Sequence, residues 1–193
     1  MQESELSVVW RPYISKFTTA RFRDLDKGYS LHCGPTAMSN LVTTYAKRYG
    51  FSSVTSLEPE ELFRKVASIG AKRLIFWNGP AIPLLGGTMD LAVPWYIRAV
   101  WKEFRLPAPH ISFQRRATEK NLLTSLKKGA ILYVELRHHP KYGEHHIIVY
   151  GCRDDGITEP VYYTADGWRP METLLKSEDF RRSFYHEILP ERP

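Results

Sequence analysis

The chain has 193 residues, a net charge of +6 and only two cysteines. Hydrophobic residues make up 43% of it and charged residues 25%, which excludes wholesale disorder and predicts a single globular domain over residues 1–193, with a core from about 24 to 190. Two cysteines cannot form a disulfide framework. No apolar run reaches the roughly 18 residues of a membrane span, and the first residues lack a secretory-signal layout, so we expect a cytoplasmic protein.

The positive charge is spread along the chain rather than concentrated in one segment. It arises from 27 Lys and Arg against 21 Asp and Glu, in isolated pairs such as Arg115-Arg116. No nucleic-acid-binding motif accompanies these pairs, so we expect no nucleic-acid partner. The sequence leaves the oligomeric state open.

Four helices are predicted in the first two-thirds of the chain. Met38, Leu41, Val42 and Tyr45 follow the helical period and predict a helix from about 35 to 48. The other three are a helix capped by Ser56 and ending at Gly70, a helix carrying Ile97 to Phe104, and a helix capped by Thr118 and ending at Gly129. Residues 78–94 are rich in Gly and Pro and are predicted to be a loop.

The last third of the chain is predicted to be an antiparallel sheet. Its residues are rich in Ile, Val, Leu and Tyr, which favour strands. The predicted strands cover 130–136, 145–152, 161–166 and 184–189. The fold class is therefore α+β, with a cleft expected where the helical part packs against the sheet.

Cys33 is the candidate nucleophile because it lies at the start of the first predicted helix. Unpaired N–H groups and the helix dipole stabilise a thiolate there, so we expect a lowered pKa. Gly34 lets the backbone come close to a substrate, and Pro35 is well suited to a first helical turn. Cys152 ends a strand with no helix start nearby and is interpreted as structural.

A nucleophilic cysteine needs a base and an orienting group, and the strands supply both. A two-residue turn at Asp155-Gly156 would place His145 directly opposite Asp166, with both side chains on one side of the hairpin. Pro160 lies in the second arm, and a shift of one residue there would favour His146 instead.

The remaining histidines suggest a metal site only weakly. A cluster of His138 and His139 with His145 and His146 across a hairpin is disfavoured, because neighbouring residues on a strand point to opposite faces. We therefore expect no metal and no cofactor. His32 is expected to line the cleft.

The Cys-Gly-Pro-Thr-Ala box at 33–37, the strand from His145 to Gly151 and Asp166 at the end of the next strand resemble papain-like cysteine peptidases. Within them the chain is most similar to the bacterial group related to double-glycine leader peptidases, over residues from about 24 to 170. The resemblance implies a papain-like α+β fold with Cys33 at the N-terminus of a central helix.

One position departs from the family. Its members carry a glutamine a few residues before the nucleophile as an oxyanion donor, whereas this chain has Lys27 six residues before Cys33 and no glutamine in 23–32. Lys27, Tyr29 and Ser30 are the candidate replacements, because each side chain donates a hydrogen bond.

The sequence thus predicts a thiol hydrolase, in the first place a cysteine peptidase, in which Cys33 attacks, His145 transfers the proton and Asp166 orients His145. An acyltransferase or transpeptidase, and an inactive module that binds peptides, remain as alternatives. The expected partner is a peptide or protein substrate. The residues expected to shape its cleft are His32, Gly34, Trp77, Trp95 and Trp168.

Overall fold

The computed structural model describes residues 4–6, 32–77, 87–168 and 172–190. The helices are α1 (Cys33–Tyr49), α2 (Ser52–Thr55), α3 (Pro59–Lys72), α4 (Val93–Glu103) and α5 (Glu119–Lys127), with 3-10 turns at Asp90–Ala92 and Ser177–Phe180. The strands are β1 (Ser4–Leu6), β2 (Phe76–Trp77), β3 (Gly87–Thr88), β4 (Pro109–Gln114), β5 (Ile131–His139), β6 (Gly143–Asp154), β7 (Val161–Ala165), β8 (Thr173–Lys176) and β9 (Phe184–Pro190).

A seven-stranded antiparallel sheet forms the centre of the fold. Its order is β4-β9-β5-β6-β7-β8, and β1 pairs with the end of β6. The central strands β5 and β6 are apolar on both faces. One face, with Tyr133 and Ile148, packs on the core that contains α1, and the other, with Val134 and Ile147, packs on the core that contains α5. The α+β class predicted from the sequence is confirmed.

Helix α1 lies against β5 and β6 and is buried along most of its length. Leu41, Val42 and Tyr45 are buried, and the Tyr45 ring contacts the Trp101 ring of α4 at 5.0 Å. The helix ends where Gly50 adopts a left-handed φ of 78° and donates its N–H to the carbonyl of Ala46. The predicted helix at 35–48 is confirmed. The first residue of α1, Cys33, lies at the end of the sheet, beside the start of β6.

Most of the other predicted elements are confirmed as well. All four strands of the last third are present, and the Thr118 hydroxyl caps α5 by accepting from Asn121 N at 3.3 Å. The third predicted helix corresponds to α4, which begins earlier than Ile97.

Three predictions about the first two-thirds were wrong. Ser56 does not cap α3, because its hydroxyl donates to the Ser52 carbonyl and closes α2, whereas α3 begins at Pro59. The predicted loop contains β3, the 3-10 turn and the start of α4, and its residues 78–86 lie outside the described residues. The helical part also contains a strand of the main sheet, β4, which pairs with β9.

None of the helices in the described part of the chain is long and apolar enough to cross a membrane.

Candidate active site

Cys33 is the first residue of α1, and its sulfur lies beside the start of β6. The backbone N–H groups of His146, Gly34 and Cys33 itself face Sγ and favour the thiolate. Burial opposes them more strongly and raises the pKa of the Cys33 thiol. The expectation of a lowered pKa was therefore wrong, because removal from water outweighs the helix N-terminus at this position.

Gly34 is required for a close approach within the protein. A Cβ at this position would lie 2.5 Å from Cβ of Thr88, and even closer to the Thr88 hydroxyl. The side chain of Thr88 therefore fills the space beside Gly34 in which a substrate was expected. Gly34 itself is buried. The expectation that Gly34 borders an open cleft is corrected accordingly.

Replacement of Gly34 by alanine should lower the free energy of unfolding by about 1–3 kcal/mol, since overpacking of a filled site forces its neighbours apart. Urea denaturation of the purified variant measures this loss. The double variant Gly34→Ala/Thr88→Gly removes the clashing atoms and should recover stability relative to the sum of the two single variants. Additive effects of the two changes would contradict a direct clash.

His145 and Asp166 meet, although not in the predicted register. Ala165 lies opposite Ile148, not opposite His146, so His145 does not face Asp166 directly and the predicted pairing was wrong. Instead, Nε2 of His145 lies 2.7 Å from the backbone carbonyl oxygen of Asp166. A carbonyl only accepts, so Nε2 carries the proton and Nδ1 keeps the lone pair that a general base needs.

The surroundings of His145 combine burial with a negative neighbour. Burial lowers the pKa of the imidazole, whereas the carbonyl and the charge of Asp166 raise it. The ring stacks on Tyr142 at 5.4 Å and contacts Trp168 at 5.1 Å. Electrostatic effects of His139 and His32 also lower this pKa.

The carboxylate of Asp166 is buried and accepts hydrogen bonds from three groups. Its Oδ2 accepts from the Tyr142 hydroxyl at 2.7 Å and the Thr173 hydroxyl at 2.9 Å, and its Oδ1 accepts from the Trp168 N–H at 2.9 Å. The residue is 1% exposed. The carboxylate therefore joins β7, β8 and the hairpin before β6, while the backbone of Asp166 holds the imidazole.

His146 points to the opposite face of β6 from His145. Burial, with smaller effects from neighbouring positive groups, lowers the pKa of His146 to about 3. Since a general base works best with a pKa near the operating pH, His146 is poorly suited to take the thiol proton. Its Nε2 lies 3.7 Å from a carboxylate oxygen of Asp90.

Glu135, a buried carboxyl group opposite His146 on β5, was not predicted from the sequence. Burial raises the pKa of Glu135 to about 8, and its charge acts on the Cys33 thiol. The available signal was a lone acidic residue inside the apolar run Ile131–Leu136, where a charge without a partner is costly.

The remaining candidates are dispersed. His32 is buried and its Nδ1 lies 2.9 Å from the Thr36 hydroxyl, so it does not border open space. Trp168 is exposed beside His145, and Trp95 is exposed at the start of α4. Trp77 ends β2. Lys27, Tyr29 and Ser30 lie outside the described residues.

Cys152 lies on the α5 side of the sheet. It is buried, and burial raises its pKa to about 11. Both observations agree with the structural role predicted for it.

The sequence matches no protein-family model, and comparison with curated proteins gives no significant match. The candidate residues are a thiol at a helix start with backbone N–H groups around its sulfur and, on the other face of β6, an imidazole with a free Nδ1 lone pair. A thiol, an imidazole and N–H donors are the groups that acyl transfer to sulfur uses.

Proposed function

We propose that the chain is a thiol hydrolase of the papain-like type, acting as a cysteine peptidase with Cys33 as nucleophile and a histidine at the start of β6 as base and acid. This histidine is His145, with Asp166 as the group that orients it, or His146, which lies on the same face of the sheet as Cys33. The observation that carries the proposal is the position of Sγ at the start of α1, against the backbone N–H of the residue next to His145. The packing of α1 along β5 and β6 supports the papain-like fold.

The reaction begins with a neutral thiol, because burial raises the Cys33 pKa. The catalytic imidazole, His145 through Nδ1 or else His146, takes the thiol proton as sulfur attacks the carbonyl carbon of the substrate. Backbone N–H groups at the start of α1 stabilise the oxyanion, and the same imidazole then returns the proton to the leaving amine. Water, deprotonated by this imidazole, cleaves the acyl-sulfur bond, and the proton returns to sulfur to regenerate the thiol.

Two alternatives use the same residues. In an acyltransferase, an amine or thiol replaces water in the last step, and an added amine would divert the acyl group. In a peptide-binding module, Cys33 does not react. The raised pKa of Cys33 and the Thr88 side chain over Gly34 favour the module over the other alternative.

Acylation by an activated ester tests the proposal without a known peptide substrate. With p-nitrophenyl acetate, the protein should release p-nitrophenolate faster than free cysteine does at the same pH, and peptide mapping should locate the acetyl group on Cys33. The reason is that the proposed histidine at the start of β6 assists the attack, and general-base assistance contributes about 10²–10⁴ in rate.

Cys152→Ser is the matched control, because that thiol is buried on the other side of the sheet. This variant should react like the parent chain, whereas Cys33→Ser should not be acetylated. A parent chain that reacts no faster than free cysteine would overturn the hydrolase and favour the peptide-binding module.

A further inference from the structure

Beneath Cys33, on the face of the sheet that packs against α1, three potential metal ligands converge from different segments. They are Asp90 in the 3-10 turn before α4, Glu135 on β5 and His146 on β6. One ligand atom from each lies within 4.8 Å of the other two. Tetrahedral zinc bonds of about 2.0–2.1 Å place ligand atoms about 3.3 Å apart, so small side-chain rotations would bring these three into range.

These groups have unmet bonding capacity. Glu135 is 1% exposed and neither carboxyl oxygen has a hydrogen-bond partner among the described residues. His146 is 8% exposed, and its Nδ1 is also unpaired in that part of the chain. Its Nε2 is 3.7 Å from Asp90, beyond hydrogen-bond length. Buried polar groups in this state are costly, and a cation at their centre would satisfy them.

Two further residues are placed to orient the ligands. Arg137 binds Oδ2 of Asp90, which leaves Oδ1 directed toward His146. On the other side, Nε2 of His186 lies 3.7 Å from Oε1 of Glu135, and His186 is 3% exposed with both ring nitrogens unpaired among the described residues. Outer groups of this kind fix the ligand side chains in metal sites.

We propose that Asp90, Glu135 and His146 bind a divalent transition-metal ion, with Zn²⁺ as the best match. One imidazole nitrogen and two carboxylate oxygens form a mixed donor set that zinc accepts, and water completes the coordination. The ion joins the turn before α4 to the two central strands. The histidine cluster weighed from the sequence plays no part, apart from His146.

The test uses a Cys33→Ser background, so that the thiol cannot bind zinc and the outcome is independent of the proposed hydrolase. The protein is stripped with a chelator and titrated with Zn²⁺ in competition with a chromophoric chelator. One ion should bind per chain. Glu135→Gln and His146→Ala should each weaken binding at least about 100-fold, because even outer-shell changes cost 10–100-fold.

His138→Ala is the matched control, since this exposed histidine lies outside the cluster, and it should leave the zinc affinity unchanged. Zinc should also raise the melting temperature of the background protein but not of the ligand variants. If burial makes the Glu135 variant fail to fold, the more exposed Asp90→Asn decides, with at least a tenfold loss expected. Failure of the background protein to bind zinc, or unchanged affinity in the folded ligand variants, would overturn the site.

Discussion

Replacement of His145 by alanine should slow the acetylation of Cys33 by p-nitrophenyl acetate by about 10²–10⁴-fold, the usual contribution of a positioned general base. The Asp166 carbonyl holds the proton on Nε2, so Nδ1 is the nitrogen that can accept the thiol proton. Without the imidazole the partly buried thiol has only water as a base. Stopped-flow release of p-nitrophenolate gives the rate, and circular dichroism checks that the variant is folded.

The control for this experiment is His138→Ala, which removes an exposed imidazole from the same hairpin and should leave the rate within a factor of two of the parent. His146 provides the opposing hypothesis. If His146→Asn abolishes acetylation while His145→Ala retains it, the base is on the other face of β6, and the role assigned to His145 is wrong.

Sequence periodicity predicted the elements that depend on burial. Helix α1 was recognisable because Met38, Leu41 and Tyr45 share one face, and all three are buried. Strands β5 and β6 were recognisable as apolar runs that need cover on both faces. The strand β4 was missed, since it pairs only with β9, and polar His110 and Ser112 interrupt its pattern.

A two-residue turn at Asp155-Gly156 did not predict the register between β6 and β7 correctly. The carboxylate of Asp155 accepts from the N–H groups of Ile157 and Thr158 and forms a wider loop than an Asp-Gly hairpin would. A bulge between Val149 and Gly151 then shifts the pairing again. Both effects come from local side-chain and backbone bonding that hydrophobic patterning does not record.

The candidate site was predictable in its residue types but not in its contacts. The helix start at Cys33 indicated a nucleophile, yet the balance between its N–H groups and burial depends on how deeply β6 covers the sulfur. Likewise, Asp90, Glu135 and His146 are far apart in sequence and meet only through tertiary packing. No short motif joins them, so only the structure brings them together.

Replacement of Asp166 by alanine should cost about 3 kcal/mol or more in the free energy of unfolding. It leaves the buried Tyr142 and Thr173 hydroxyls and the part-buried Trp168 N–H without this acceptor, and loss of a partner by a buried group costs about 1–3 kcal/mol. Asp166→Asn keeps one carbonyl oxygen as acceptor and should cost less. Urea denaturation of both variants gives the two values.

Thr173→Val is the companion variant, because it removes one donor and leaves the carboxylate with two. In a double-mutant cycle, Thr173→Val and Asp166→Ala should show a coupling energy, because Asp166→Ala removes both acceptor oxygens, whereas strict additivity would contradict their hydrogen bond.

The same Asp166→Asn variant separates two ways of orienting His145. Where a carboxylate sets the tautomer of a catalytic histidine, its amide variant loses about 10⁴ in rate. Here the backbone carbonyl makes that contact and is retained in the variant, so acetylation of Cys33 should fall much less. A full 10⁴-fold loss in a folded variant would show that the Asp166 side chain, rather than its carbonyl, sets the tautomer of His145.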